Sequence, residues 1–139
     1  MSSSEGVVRQ LIEALNRADR SAAEQVLHPQ CRMYCNGELQ AANVDEYWEV
    51  FASFHRAMPD LHQRIEELVV GGDTVAERWS NRGTHLGEFD RVPPTGRQVE
   101  FVGTTFFRVE DEQIVEEHNC VDLLALLTQV GALQAGQLT

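Results

Sequence analysis

Three helical patterns, each with its own stop signal, precede four strand-like runs, and this order most narrows the folds open to the chain. Val7, Val8, Leu11, Ile12 and Leu15 recur at the spacing of one helix face and predict a first helix ending near Asp19. Ser21-Ala22-Ala23-Glu24 has the form of a capping box, whose side chains satisfy orphan N–H groups at a helix start. It predicts a short second helix, stopped by His28-Pro29. Residues 31–36 read as a strand. A second box, Asn43-Val44-Asp45-Glu46, opens a third helix with an apolar stripe of Val44, Tyr47, Trp48, Phe51, Phe54 and Met58, closed by Pro59. Strands follow at 61–70, 75–82, 99–109 and 113–121, with Gly71-Gly72-Asp73 as a turn of the kind that supplies positive φ. Asp122 is placed to cap a final helix running through Val130 to Gly131. Helices first and antiparallel strands after make an α+β fold. Residues 1–5 and 134–139 are expected to be disordered.

A length of 139 residues fits a single domain, 1–139, with a core from about 6 to 133. The net charge of −11 excludes nucleic acid and anionic membrane as partners, since either would repel the chain. All eleven basic residues are Arg, so Schiff-base chemistry and a pyridoxal phosphate anchor are ruled out. There is no Gly-rich phosphate loop after a strand and no cluster with metal-ligand spacing, so no metal and no organic cofactor is expected. Cys31, Cys35 and Cys120 cannot make a closed disulfide set, which favours a reducing compartment. With no secretory signal pattern after Met1 and no apolar run of roughly 20 residues, the expected location is cytoplasmic. Cys31 and Cys35 with His118 match no common zinc pattern and read as small buried hydrophobes.

Six short segments carry a family resemblance: Ala57-Met58-Pro59-Asp60-Leu61, Gly72-Asp73, Gly83-Thr84-His85, Pro94-Thr95-Gly96-Arg97, Phe107-Arg108 and Ile114-Val115-Glu116. In this order they resemble the SnoaL-like polyketide cyclases, a branch of the fold shared by nuclear transport factor 2 and ketosteroid isomerase. The resemblance implies a cone formed by a curved antiparallel sheet, with N-terminal helices closing a deep apolar pocket for a polycyclic or extended small molecule. It implies cofactor-independent acid–base chemistry on carbon acids, or on epoxides in cousins such as limonene epoxide hydrolase. The family's catalytic carboxylate on the last strand falls at Asn119, and an amide cannot exchange a proton at neutral pH. The His of aldol cyclases, or the oxyanion-binding Asp of ketosteroid isomerase, falls near Thr105. The isomerase base and Tyr fall near Cys35 and Leu11, and the epoxide hydrolase Asp–Arg–Asp set near Asn81, Trp79 and Asn119. None of these machineries is present whole.

Strand parity indicates which groups remain. If Asn119 faces the pocket, so do Val115, Glu117 and Val121, while His118 faces away. Phe101, Gly103, Thr105 and Phe107 share one face of the preceding strand, and Val75, Glu77, Trp79 and Asn81 one face of the strand before that. The catalytic candidates are therefore Asn119 and Asn81 as hydrogen-bond donors, Thr105, and Glu77 or His118 as the proton-transfer group. His118 serves only if a bulge turns it inward; otherwise it suits a dimer interface. Tyr34, Trp48, Phe51, Trp79, Phe101 and Phe107 are the substrate-binding candidates. His85 reads as fixing its turn, Asp122 as a cap and Glu38 as solvated. Val102, Thr104 and Phe106 leave an apolar outer sheet face, which predicts a homodimer. The expected function is a cofactor-independent cyclase or isomerase acting on a polyketide-like hydrophobic substrate. The alternatives are a non-catalytic binding protein for a hydrophobic small molecule and an epoxide-opening hydrolase or cyclase, for which Glu77, Glu66 and Glu67 are the available acids.

Overall fold

In the computed structural model, which describes residues 3–133, four helices pack with one six-stranded curved sheet. The elements are α1 (Ser4–Asn16), α2 (Arg20–Val26), β1 (Leu27–Cys35), β2 (Glu38–Ala41), α3 (Val44–Ala57), β3 (His62–Gly71), β4 (Thr74–Thr84), β5 (Gln98–Glu110), β6 (Gln113–Val121) and α4 (Leu123–Gln129). The disorder expected of residues 1–2 and 134–139 falls outside the described residues. Residues 3–5 are ordered, contrary to expectation, because the Ser3 hydroxyl accepts the Gly6 N–H at 3.0 Å and caps α1.

Two helix starts differ instructively from the sequence reading. Asp19, not Ser21, caps α2, accepting the Ala22 N–H at 3.1 Å. The chain leaves α1 through Ala18 in the left-handed region and reaches extended geometry at Asp19, two residues earlier than the box suggests. At α3, Asn43 accepts the Glu46 N–H at 2.9 Å, but Glu46 returns its bond to the Ala42 N–H at 2.8 Å.

The strand order is β2-β1-β6-β5-β4-β3. From β3 to β6 the pairing is antiparallel, as expected, but β1 runs parallel to β6, so the sheet is mixed. β1 starts at Leu27 rather than Cys31, and Pro29 is accommodated because residues 28–31 fall in a break in its register with β6. Asn36 and Gly37 both have positive φ and turn β1 into β2, the turn geometry that an Asn-Gly pair favours.

Alternation along β5 fixes what faces inward. Val99, Phe101, Thr105, Phe107 and Val109 are buried, and Val102, Thr104, Phe106 and Arg108 are exposed. Phe107 and Val109 meet Val7, Val8, Leu11 and Ile12 of α1 and Tyr47 of α3 in one core, while Val99 and Phe101 pack with Met58, Trp79, Leu126 and Val130 in a second. α4 is capped by Asp122, which accepts the Ala125 N–H at 3.0 Å. It is held to β5 by Gln129, whose side chain bonds the Glu100 N–H at 2.8 Å and the Glu100 carbonyl at 2.7 Å. Among the described residues no helix is long and apolar enough to cross a membrane.

Candidate functional site

Between the helices and the inner sheet face lies a cavity of about 150 Å³. Its wall is mostly apolar and aromatic, with Phe51 and Phe54 from α3, Trp79 from β4, and Phe101 and Phe107 from β5. Three of its polar groups come from one rung of the sheet: Glu77 on β4 pairs with Thr105 on β5, which pairs with Asn119 on β6. Glu117 stands two residues before Asn119 on the same face.

These side chains form a continuous hydrogen-bonded chain. The Trp79 indole N–H donates to Thr105 Oγ1 at 2.8 Å, and Thr105 donates to Asn119 Oδ1 at 2.7 Å. Asn119 Nδ2 donates to Glu117 Oε2 at 2.8 Å and to the Tyr34 carbonyl at 3.2 Å. Tyr47 closes the far end, its hydroxyl donating to Glu117 Oε1 at 2.9 Å. Both N–H groups of Asn119 are therefore spent within the protein. It is oriented to hold Glu117, and has no N–H left for a substrate oxygen.

Glu77 is different. It is 1 % exposed, and neither carboxyl oxygen has a hydrogen-bond partner among the described residues. Burial, then the neighbouring charge of Glu117, pushes its pKa up from 4.5 to about 8. Burial also raises Glu117, but the bonds from Asn119 and Tyr47 favour its ionised form. Burial thus disfavours the charged form of both acids, and of the two only Glu117 has donors that oppose it. Burial, followed by the adjacent Glu117, lifts the Tyr47 phenol well above its ordinary value, so Tyr47 stays a donor.

Gly103 makes room for this arrangement. A Cβ there would lie 2.3 Å from the Trp79 ring and 2.6 Å from the Cys120 carbonyl oxygen. Gly103→Ala is expected to tilt Trp79 off Thr105 and destabilise the fold by about 1–3 kcal/mol, the usual cost of overpacking. Shifted tryptophan fluorescence and a lower urea midpoint would report it.

The structure brings together Asn119, Glu77, Asn81, Thr105, Phe51, Trp79, Phe101 and Phe107 of the expected site residues, all on the cavity wall. It does not bring in three others. His118 lies on the outer face, stacked on Tyr34 with ring centroids 4.5 Å apart and hydrogen-bonded through Nε2 to Glu116. The register break in the β5–β6 pair comes between Arg108 and Val109, so no bulge turns His118 inward. Tyr34 points outward with it, and only its backbone carbonyl serves the site. Trp48 packs against the core behind Phe51 and does not line the cavity. Glu66 and Glu67 are bonded to Ser80 and Arg78 away from the cavity.

His85 anchors the segment after β4. Its Nδ1 accepts the Thr95 N–H at 3.3 Å, its backbone pairs with Arg97 and Gly96, and its buried Nε2 has no partner among the described residues. Tyr47 and Glu117 were missed as site residues. Parity had placed Glu117 on the pocket face, and Tyr47 belonged to the stripe of the covering helix. A tyrosine within an apolar stripe, above a strand carrying an acid on its inner face, was the available signal.

Among the described residues no group of three or more His, Cys, Asp or Glu stands together as a metal site. Comparison with known proteins places this geometry in context. IdmH, a candidate polyketide cyclase from Streptomyces antibioticus, is 28% identical with a TM-score of 0.84, over 94% of this chain and 99% of that one. AclR, a candidate hydroxylase from Streptomyces galilaeus, is 25% identical with a TM-score of 0.85, over 94% and 97%. TsrD from Streptomyces laurentii is 26% identical with a TM-score of 0.82, over 95% and 100%. Among curated proteins none matches the sequence. Residues 5–130 match the SnoaL-like polyketide cyclase family, so the chain that builds this cavity belongs to that family.

Proposed function

We propose that the protein is a cofactor-independent cyclase or isomerase for a polyketide-like hydrophobic substrate, with Glu77 as its proton-transfer group. The observation that carries this is a buried carboxyl on the cavity wall, with neither oxygen bonded to protein. A carboxyl raised to about 8 enters the reaction protonated at neutral pH. Its first act is to donate to a substrate heteroatom, and the carboxylate formed can then remove a proton from carbon. Glu117 is the counterpart, an acid whose hydrogen bonds favour ionisation; a pair of acids with divergent environments suits acid–base work. Asn119 acts through Glu117 as a positioning residue. Proton-to-deuterium exchange at the α-carbon of a simple aryl ketone, followed by NMR in D₂O, tests the reading. Wild-type protein should accelerate exchange and Glu77→Gln should not; equal rates would remove the proposal.

A second reading, a non-catalytic binding protein for a hydrophobic small molecule, is favoured by the fully engaged amide at position 119. Ligand binding without any exchange activity would select it.

The outer face supports a homodimer, since Val102 and Phe106 on β5 are each 54% exposed and Phe106 lies opposite His118 on β6. Sedimentation should give a dimer at micromolar concentration, and Phe106→Glu should give a monomer with its fold intact. Three free thiols are consistent with a reducing, cytoplasmic setting.

A further inference from the structure

The hydrogen-bonding capacity of the cavity wall is unbalanced. The Trp79 N–H, the Thr105 hydroxyl, the Tyr47 hydroxyl and both Asn119 N–H groups are each given to a protein acceptor. The Asn16 amide exchanges bonds with the Gln63 backbone at 2.9 and 2.8 Å, which uses its oxygen and one of its two N–H groups. The unpartnered buried atoms on the wall are both Glu77 carboxyl oxygens and Asn81 Oδ1. Charge is equally one-sided. Glu77 and Glu117 line the cavity, and among the described residues no Arg and no His does. An anionic ligand would find two acids and no basic side chain on the wall. A cation would find an uncommitted carboxyl among aromatic faces, which attract positive charge through their quadrupoles.

We infer that the cavity takes a hydrophobic amine, or the imine derived from one, with its nitrogen seated on Glu77 and its apolar part against Trp79 and Phe101. The inference rests on the reading of this cavity as a small-molecule site and names the basic atom that takes the Glu77 proton. In the binding step the neutral amine accepts the carboxyl proton and becomes an ammonium paired with the Glu77 carboxylate. When the amine arrives already charged, the same complex forms and the carboxyl proton leaves to solvent. Asn81 lies four residues along the same strand, roughly 13 Å away by strand rise, so it meets a different part of a longer ligand. A volume of about 150 Å³ suits a single aromatic ring at the Glu77 end.

The titratable groups on the Glu77 side of the cavity are Glu117 on β6, Tyr47 on α3 and the thiol of Cys35 on β1, with Cys31 behind them. α1, β3 and β5 contribute to the wall only Asn16, Gln63, Thr105 and apolar side chains. Glu77 is thus the group whose ionisation should govern amine binding between about pH 6 and 8.

Benzylamine, benzyl alcohol and benzoate are the probes, titrated calorimetrically against the wild-type protein. Benzylamine should bind about 10–100-fold more tightly than benzyl alcohol, the range for hydrogen bonds to a charged group, and benzoate most weakly. At pH 7 ammonium binding should release a proton from the Glu77 carboxyl, seen by repeating the titration in buffers of different ionisation heat. Benzylamine affinity should rise with pH up to the Glu77 titration, because the ammonium keeps its charge while the carboxyl gains one. Glu77→Gln should bring benzylamine down to benzyl alcohol and abolish the proton release. Equal binding of amine and alcohol by wild type would overturn the inference while leaving the cavity as a binding site. Binding of none of the three would overturn both. An amine preference that survives in Glu77→Gln would show that the nitrogen sits elsewhere, and would also overturn it.

Discussion

Glu77→Gln should abolish proton transfer and, above neutral pH, make the protein more stable. A positioned acid or base contributes about 10²–10⁴ in rate, so turnover should fall by that amount and one limb of the pH–rate profile should vanish. The stability change follows from the same burial. Glu77 titrates at 4.5 in the unfolded chain and at about 8 in the folded one, so between these values the folded state binds more protons. Its contribution to stability is complete below pH 4.5 and is lost as pH rises through 8, at about 1.4 kcal/mol per pH unit. The total is on the order of 3–5 kcal/mol. Glutamine keeps the shape without the ionisation. Urea unfolding at pH 5 should therefore find the two proteins similar, and at pH 8.5 the variant well ahead. A wild-type stability that stays flat between these pH values would show that Glu77 is not held neutral.

The second large effect belongs to Glu117. Glu117→Ala removes the acceptor of both Tyr47 and Asn119, leaving one buried and one half-buried donor unsatisfied at about 1–3 kcal/mol each, which relief from a buried charge offsets in part. A net loss of roughly 2–4 kcal/mol is expected in the urea midpoint. Glu117→Gln should cost much less, since its carbonyl can accept from Asn119 and its amide can donate to Tyr47. It should also lower the pH at which Glu77 titrates, because the Glu117 charge is gone while the burial stays. An Ala variant as stable as the Gln variant would mean that the hydrogen-bonded chain is not what orders the wall.

Much of this was legible in the sequence, because period two is robust once a strand is recognised. The inward faces of β4, β5 and β6 follow directly from it, Glu77, Thr105 and Asn119 included. The donor directions within the site were not legible. That Asn119 spends both N–H groups depends on the Tyr34 carbonyl, and hence on β1 lying beside β6, a long-range pairing that no local pattern encodes. The parallel sense of that pair was hidden for the same reason. β2 was hidden differently: Glu38-Leu39-Gln40-Ala41 is too short to show a period, and its sign was the Asn36-Gly37 turn before it. Tyr47 was read as core because the covering helix gives it the same periodic position as its apolar neighbours.

The place of β1 beside β6 also sets the order of assembly. β1 ends at Cys35 and its partner strand starts at Gln113, so the two edges wait for most of the chain before they can meet. During synthesis the β3–β4–β5 meander can pair as it emerges, while the β1–β2 hairpin has no neighbour until β6 exists. Contacts this distant in sequence slow folding, since the loop must close before any pairing rewards it. α3, which carries Tyr47 and two of the four cavity phenylalanines, packs on β1 and β2. The wall that buries Glu77 is therefore complete only once β6 has joined β1, because Glu117 and Asn119 of that wall are carried by β6.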